Sequence, residues 1–416
     1  MSARRHNIGH SIAIVGGGTA GAASALFLAR AGHRVTLFER VSEPGAVGAG
    51  ILLQPSGMHV LKQLGLLDEI KAHGARITRL HGTIPGGRTV LDVHYRHYAE
   101  DAYGLGLHRG TLFSALWKAL RQTNAEIRCG VDIDRVKQTD GHAELYQGET
   151  MQGSFDAVVI TDGTHSRLRG QLDIPVVAKP YPWGALWAVV PDDGTIDGTL
   201  RQWYCDARQM LGVMPTGRAW QQDQPLLSIF WSLHRDALPD WRNQSLSDWK
   251  RTVLELAPIA PLLTHIETPA QLAYAGYADI IMPHWHDRRA VCLGDCAHAT
   301  SPQLGQGANL ALIDAMTLAQ CVAEQTELPT ALKQYSMKRK SHLRYYQTAS
   351  RMLTPLFQSH SRLGSGLRDF GLGLACRLPI ARSQMGLTLS GTKTGWLIGR
   401  LPLGESDKNP FQNEQG

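Results

Sequence analysis

A glycine-rich turn between a strand and a helix constrains the fold of this 416-residue chain more than any other feature. Residues 11–15 form an apolar, β-branched run that predicts a buried strand, and residues 22–31 predict a helix. Gly16-x-Gly18-x-x-Gly21 lies between them. A second predicted strand, residues 34–39, completes a βαβ unit.

The three glycines predict a dinucleotide site. Gly16 permits the tight turn, Gly18 lets the backbone approach a pyrophosphate, and Gly21 lets the helix pack closely on the strand. The helix N-terminus then directs N–H donors at the phosphates. Glu39, at the end of the second strand, can accept hydrogen bonds from ribose hydroxyls and disfavours the 2′-phosphate of NADP at this site.

Two further motifs distinguish FAD from NAD as the dinucleotide. The first is Asp162-Gly163-Thr164-His165-Ser166-Arg167-Leu168-Arg169. The second is Gly294-Asp295-Cys296-Ala297-His298, which continues to Pro302-Gln303-Leu304-Gly305-Gln306-Gly307-Ala308-Asn309. These resemble the Asp-Gly and Gly-Asp motifs of class A flavoprotein monooxygenases of the para-hydroxybenzoate and salicylate hydroxylase kind. The three motifs occur in that family's order, and the resemblance covers residues 12–346.

The resemblance implies a resident FAD, NAD(P)H as a transient electron donor, and O₂. It does not distinguish NADH from NADPH. In the family, Pro302 lies beside the reactive flavin carbon, Arg109 contacts the cofactor, and the backbone at Val131 meets the adenine. Asp295 can accept a hydrogen bond from a ribityl hydroxyl, and Asp162 supports cofactor and NAD(P)H binding. The expected cofactor-binding residues are Gly16, Gly18, Thr19, Ala20, Gly21, Glu39, Arg40, Arg109, Val131, Asp162, Gly294, Asp295, Pro302, Gly305, Gly307, Ala308 and Asn309.

The fold class that these observations predict is α/β. We expect a FAD-binding, Rossmann-like domain of the glutathione-reductase type, an inserted mixed or antiparallel β-sheet domain for the substrate, and a helical C-terminus. The FAD-binding domain is predicted over residues 1–75, 105–175 and 286–350, the sheet domain over 76–104 and 176–285, and a helical or irregular segment over 351–416.

The implied activity is hydroxylation or epoxidation of an aromatic or polycyclic small molecule through a flavin C4a-hydroperoxide. Two other activities stay open: a FAD-dependent reductase or dehydrogenase of the prenyl-reductase kind, and a flavin-dependent halogenase. Trp183-Gly184-Ala185-Leu186-Trp187 does not match the Gly-Trp-x-Trp-x-Ile-Pro motif of family halogenases. A non-enzymatic FAD-binding or partner-docking protein is the alternative from another class.

Aromatic residues in the inserted sheet predict either packing between the two domains or an apolar substrate pocket. They are Trp183, Trp187, Trp203, Tyr204, Phe230 and Trp231. Trp183 and Trp187 are expected to share one strand face. No arginine-rich clamp for a carboxylate stands out, which favours a planar apolar substrate over a small benzoate. The candidates for a general base, by residue type alone, are His59, His81, His94, His97 and His108, and no catalytic residue is assigned.

Composition argues against other functions. The net charge of +6 is mild, and no pattern of a nucleic-acid-binding module is present. The densest basic run, Lys338-Arg339-Lys340, predicts a solvent-exposed helix face. The six cysteines include no Cys-x-x-Cys pair and the 18 histidines no zinc-like spacing, which predicts reduced thiols and no metal site. Without a signal peptide or transmembrane run, the expected location is the cytoplasm, and a homodimer is left open.

The C-terminal part gives the weakest predictions. A basic helix over residues 329–352 is expected to end before Pro355. The glycine-rich, apolar and basic tail over residues 364–403 has three candidate positions: packing over the substrate channel, a dimer contact, or contact with a membrane surface. We expect packing. Four glycines there, Gly364, Gly366, Gly371 and Gly373, have no assigned function.

Overall fold

Four β-sheets organise the residues that the computed structural model describes, which are 9–45, 48–359, 366, 368–376, 378–396, 399–401 and 403. In chain order the strands are β1 (Ser11–Val15), β2 (Arg34–Glu39), β3 (Gly50–Leu53), β4 (Ala75–Ile77), β5 (Arg79–Thr83), β6 (Thr89–His94), β7 (Gly104–His108), β8 (Glu126–Cys129), β9 (Arg135–Gln138), β10 (Ala143–Gln147), β11 (Thr150–Phe155), β12 (Ala157–Ile160), β13 (Val177–Pro191), β14 (Thr199–Cys205), β15 (Gln209–Arg218), β16 (Pro225–His234), β17 (Ala273–Ile281), β18 (His286–Asp287) and β19 (Ala290–Cys292). Gly364 lies outside the described residues.

The helices alternate with these strands in the N-terminal half and dominate the C-terminal part. They are α1 (Thr19–Arg30), α2 (Pro55–Gln63), α3 (Leu67–His73), α4 (Arg109–Leu120), α5 (Leu238–Asn243), α6 (Leu246–Leu256), α7 (Ala260–Thr264), α8 (Asp295–His298), α9 (Gly307–Glu324), α10 (Leu328–Phe357) and α11 (Pro379–Leu389). None of the described helices combines the length and the apolar character that crossing a bilayer needs.

A six-stranded sheet of order β18-β19-β12-β1-β2-β8 holds the predicted βαβ unit. The strand pairs from β19 to β8 are parallel, and β18 joins at the edge antiparallel. Residues 12–15 of β1 and all of β12 are buried, as expected of parallel strands covered on both faces. The parallel strands β1, β2, β12 and β19 have their carboxyl ends at the same edge of the sheet. The motif residues that follow these strands therefore meet at that edge.

A seven-stranded sheet of order β17-β13-β16-β15-β14-β5-β6 forms the second large layer. The predicted antiparallel strands are confirmed here, with one difference: β14 pairs with β5 in parallel. On its outer face Trp231 packs against Trp249 of α6, together with Val253 and Leu262. The strands of both large sheets fall within the predicted segments, but the domain boundaries themselves stay a prediction.

Two three-stranded sheets accompany the two large sheets. One has the order β11-β10-β9, and the other β3-β7-β4. Gly50 at the start of β3 donates its backbone N–H to Ser228 Oγ on β16 at 2.8 Å. The β3 strand therefore lies directly against the inner face of the seven-stranded sheet.

Two expectations about α10 were wrong. The helix does not end before Pro355 but continues to Phe357, and Pro355 lies in its last turn, where the missing N–H removes only one hydrogen bond. The basic run Lys338-Arg339-Lys340 is not a uniformly exposed helix face either. Lys338 and Lys340 are exposed, whereas Arg339 is 1% exposed. The reason is a buried carboxylate partner, described below.

Candidate active site

The glycine turn has the geometry that its sequence predicts. Gly16 has a φ of +102°, and a side-chain carbon there would lie 2.6 Å from the carbonyl oxygen of Thr161. A side-chain carbon at Gly21 would overlap the carbonyl oxygen of Gly16. At Gly18, by contrast, a side-chain carbon would meet no atom within 4 Å. Gly16 and Gly21 are thus required by packing, while Gly18 borders open space at the start of α1.

Glu39 lies beneath this turn. Its Oε2 accepts the backbone N–H of Gly17 at 2.7 Å and its Oε1 that of Val41 at 2.9 Å. Val131 donates its backbone N–H to the carbonyl oxygen of Glu39 at 3.0 Å, which brings two predicted cofactor residues together. Trp117 was missed by the sequence analysis. Its Nε1 donates to the Gly17 carbonyl at 2.8 Å, a long-range contact without a local sequence signal.

The Asp-Gly motif joins the same edge of the sheet. Thr161 Oγ1 lies 2.8 Å from the carbonyl oxygens of both Val15 and Gly16, so this hydroxyl ties the ends of β1 and β12 together. Asp162 follows directly, and its buried Oδ1 has no hydrogen-bond partner among the described residues. Asp162 therefore lies beside the glycine turn with an acceptor still free.

The Gly-Asp motif lies against the first turn of α1. Gly294 has a φ of +62°, and a side-chain carbon there would lie 2.9 Å from Ala20 Cβ. Asp295 begins α8 and is exposed. Its Oδ1 is 3.9 Å from the point where a side-chain carbon of Gly307 would lie. The carboxylate of Asp295 and the start of α9 therefore face the same open space.

The N-terminus of α9 presents free backbone donors. Gly307, Ala308 and Asn309 occupy its first turn, where N–H groups have no carbonyl partner within the helix. The Asn309 side chain is already used, because its Oδ1 accepts from Gln54 N at 2.8 Å and its Nδ2 donates to Leu52 O at 3.0 Å. Only the backbone of Asn309 is left for a ligand.

A buried charge network supports both parts of the Gly-Asp motif. Asp314 Oδ2 accepts the backbone N–H of Gly294 at 2.9 Å and lies 2.6 Å from His298 Nε2, and its Oδ1 accepts from Arg339 Nε at 2.7 Å. Burial alone would raise the pKa of Asp314, but His298 and Arg339 outweigh it, so that this pKa lies far below its usual range. Burial, and then the charge of Arg339, lowers the pKa of His342, whose Nε2 donates to the Gly391 carbonyl at 2.9 Å.

Two of the predicted cofactor-binding residues are exposed arginines. Arg109 begins α4 and is exposed, and its Cδ would lie 2.9 Å from a side-chain carbon at Gly48. Arg40 follows Glu39 and is also exposed. Neither forms a salt bridge with another described residue, so both charges are available to an anionic group. Pro302 is also exposed. It begins a short 3₁₀ turn, three residues before Gly305, in the loop that leads to α9.

An aromatic wall lies on the inner face of the seven-stranded sheet. The Trp187 and Phe230 rings are 5.1 Å apart, and Trp187 Nε1 donates to the Tyr277 hydroxyl at 3.1 Å. Leu52 belongs to the same apolar cluster as Met214, with Phe230 packed against it, and a side-chain carbon at Gly305 would lie 3.9 Å from Leu52 Cβ. We call the region bordered by this wall, Leu52 and residues 302–307 the chamber.

The sheet register divides the predicted aromatic residues between two faces. Trp183 and Trp187 pair with His234 and Phe230 and share the inner face, as expected. Trp203 and Trp231 belong to the outer cluster under α6. The inner positions of β15 and β16 carry no charged side chain before the strand ends; they are Met210, Gly212, Met214, Ser228, Phe230 and Ser232.

Three of the five candidate histidines gather around Asp92. His94 Nε2 lies 3.1 Å from Asp92 Oδ1, the His97 ring is 5.6 Å from that of His94, and His81 pairs with Asp92 in the β5–β6 register. Burial lowers the pKa of all five candidates. His81 also pairs with Arg201, on the outer side of the sheet. The catalytic base stays unassigned.

The C-terminal segment completes one side of the chamber. Gln306 Nε2 donates to the Leu389 carbonyl at 3.0 Å, and Tyr346 donates its hydroxyl to Thr388 O at 2.8 Å. Leu389 and Met385 join the cluster around Leu52. α11 therefore packs on the folded protein, as expected of the tail, while packing over the substrate channel stays a prediction.

Comparisons with known proteins indicate a family and a fold. The family model for a FAD binding domain matches residues 10–349. The chain is 29% identical over 345 residues to aurachin C monooxygenase/isomerase of Stigmatella aurantiaca, covering 80% of this chain and 85% of that protein. It is 26% identical over 329 residues to 6-hydroxynicotinate 3-monooxygenase of Pseudomonas fluorescens, covering 75% and 82%.

A solved structure has the same fold. It is Klebsiella pneumoniae HpxO complexed with FAD and uric acid, which aligns with a TM-score of 0.78 over 91% of this chain and 97% of the other, at 19% sequence identity. At that identity the similarity extends to the fold, and the chamber's own residues must indicate what this chain binds.

Proposed function

The chain belongs to the FAD-binding-domain family of class A FAD-dependent monooxygenases, and from this premise we propose that it oxygenates a planar, uncharged aromatic molecule held in the chamber. It is an oxidoreductase that uses FAD and NAD(P)H. The named relatives are monooxygenases, which favours this activity over the reductase, halogenase and non-enzymatic alternatives.

The residues around the glycine turn fit FAD. Gly18 leaves open space at the N-terminus of α1, where phosphates are stabilised. Glu39 has acceptor capacity beyond its two backbone bonds for ribose hydroxyls, and Asp295 is an exposed acceptor for a ribityl chain. When bound, FAD supplies the reduction of O₂ and the transfer of one oxygen atom to the substrate.

We therefore propose the seventeen predicted cofactor-binding residues as the FAD site, with Asn309 acting through its backbone. The first turn of α9 directs its positive end and its N–H groups at negative charge on the cofactor. Replacing Asp295 by Ala should release flavin while the free energy of unfolding of the flavin-free protein stays near that of the flavin-free wild type, because Asp295 is exposed. Normal flavin content in this variant would contradict the site.

The aromatic side chains of the inner face carry the substrate proposal. Trp187 and Phe230 offer flat apolar surfaces, and the inner positions of β15 and β16 provide no cation to pair with a carboxylate. A planar molecule would stack there, since aromatic faces recognise rings by offset or edge contacts. Burying these apolar surfaces also excludes water from the oxygen-transfer step.

Two further expectations accompany this function. The division into a FAD-binding domain and a sheet domain would place the chamber at their junction, where ligand sites commonly lie. A homodimer and a cytoplasmic location also stay predictions, each to be tested separately from the activity.

The deciding experiment is substrate-stimulated NAD(P)H oxidation under ¹⁸O₂, with a panel of planar aromatics that differ only in a carboxylate. We expect label in the product and stimulation by the uncharged members. Unlabelled, reduced product would refute a monooxygenase. Preference for the carboxylates would refute the substrate class while leaving the reaction intact.

A further inference from the structure

Four large apolar side chains project into solvent near the C-terminus. Phe370, Leu374, Leu378 and Ile380 are 74%, 51%, 53% and 80% exposed. They lie on a π-helical turn (Arg368–Leu372), a short helix (Gly373–Ala375) and the beginning of α11. Single exposed apolar residues are ordinary, but several within eleven positions mark an interaction surface. We call these four residues the apolar patch.

Contacts on the opposite side hold the patch in place. Asp92 on the edge strand β6 donates its backbone N–H to Cys376 Sγ at 3.4 Å. Arg368 Nη1 donates to the Asp206 carbonyl at 2.7 Å, and Arg88 lies 3.8 Å from Asp369. The segment is therefore attached along the sheet edge, and the patch belongs to the folded surface.

Basic side chains accompany the patch. Arg382 lies on α11, three residues beyond the start of that helix, and Arg96 is exposed in the turn against which α11 packs. A side-chain carbon at Gly386 of α11 would lie 3.0 Å from the His97 carbonyl carbon, which fixes how closely the two elements approach. From residue 378 to residue 401, the described charged side chains that reach the surface are both cations, Arg382 and Arg400, whereas Lys393 is buried. Asp369, beside Phe370, is paired with Arg88 and Arg368.

The helix that begins at the patch also borders the chamber. Ile380 points outward near the start of α11, whereas Met385 and Leu389 on the same helix join the apolar cluster of Leu52 and Met214. One helix of 11 residues thus separates the external patch from the chamber.

We propose that the apolar patch and its arginines dock the enzyme on an anionic lipid surface. Apolar side chains can enter the boundary between headgroups and acyl chains while the arginines meet lipid phosphates. A second copy of this chain fits less well, because a two-fold interface here would bring like charges together. An apolar substrate dissolved in the lipid would then be held close to the chamber. This statement about the substrate rests on the proposed function, whereas the docking does not.

The test measures partition of the FAD-loaded enzyme onto vesicles of phosphatidylcholine with and without phosphatidylglycerol. We expect binding to the mixed vesicles, weaker binding to phosphatidylcholine alone, and a further decrease in high salt. The double variant Phe370→Ser, Ile380→Ser should lower the partition coefficient at least tenfold. Met337→Ser is the matched control, since Met337 is 67% exposed on α10, about 30 Å along that helix from its C-terminal end.

Flavin content and circular dichroism of each variant show whether it is folded. No binding of the wild type at vesicle excess, or binding that the double variant retains, would overturn the proposal. Loss of a dimer in the double variant, by light scattering without vesicles, would assign the patch to a second copy instead. The ¹⁸O₂ assay without vesicles is read independently, so failure of the reaction and failure of docking are distinguishable.

Discussion

Arg339 Nε lies 2.7 Å from Asp314 Oδ1, and both side chains are enclosed by protein. Through its other oxygen Asp314 holds the backbone N–H of Gly294, so this ion pair connects α10 to the turn that presents Asp295. A buried pair costs desolvation but holds its surroundings in one arrangement when every donor and acceptor is paired. Here that arrangement positions the Gly-Asp motif.

Asp314→Asn should destabilise the protein by about 3–5 kcal/mol, because it leaves the Arg339 charge buried without a counter-charge. Flavin content should fall as well, because the Gly294 turn loses its acceptor. Urea unfolding and the ratio of flavin to protein absorbance measure the two effects. Lys338→Ala is the control: it removes the exposed Lys338–Glu324 pair at 2.7 Å and should cost about 1 kcal/mol at most. Equal losses in both variants would contradict a special role for Asp314.

Two glycine substitutions should separate folding from cofactor binding. Gly16→Ala forces a side chain into a positive φ and against Thr161 O, so it should lower both stability and flavin content. Gly18→Ala meets no protein atom within 4 Å, so the free energy of unfolding of the flavin-free protein should change by about 0.5 kcal/mol at most. Its flavin affinity should nevertheless fall at least tenfold, since the new methyl group occupies the space beside the helix N-terminus. Wild-type flavin affinity in Gly18→Ala would show that the phosphates lie elsewhere.

Local sequence patterns predicted the βαβ unit well, because its signals lie within forty residues. The strand and helix around Gly16–Gly21 follow from adjacent apolar runs, and Glu39 is at the strand end where the motif requires it. The parallel pairing of β14 with β5 had no such signal. It joins segments more than a hundred residues apart, and pairing of that kind depends on tertiary packing.

The same limit explains the misread basic run. Arg339 lies between two lysines, and its burial depends on Asp314, whose position inside an apolar helix gives no local indication of a partner. Asn309 was predicted to bind the cofactor, yet its side chain bonds to the backbone of Leu52 and Gln54, far away in the sequence. Long-range partners of this kind are visible only in the structure.

His33 should give the protein an acid-sensitive stability. Burial, and then the nearby His10, lowers the pKa of His33 to about 4, and its Nδ1 accepts the backbone N–H of His10 at 3.3 Å. The unfolded chain binds this proton near pH 6.5 and the folded protein only near pH 4, so stability should fall as the pH falls from 7 to 4, by at most about 3 kcal/mol. His33→Asn keeps an acceptor without a titrating group and should flatten this decrease. Urea unfolding at pH 8 and pH 5 checks it, with the exposed His265→Asn expected to retain the wild-type slope.

Phe230 should control substrate binding without affecting FAD. Its ring lies 5.1 Å from Trp187 on the inner face, and Phe230→Ala removes that surface from the chamber. We expect KM for the substrate to rise at least tenfold, and a larger share of the NAD(P)H consumed to yield hydrogen peroxide, because water enters the space that the ring occupied. Trp203→Ala on the outer face is the matched control. Trp203→Ala should lower the stability but leave KM and the ratio of product to NAD(P)H consumed near wild-type values. A similar rise in KM in both variants would place the substrate outside the chamber.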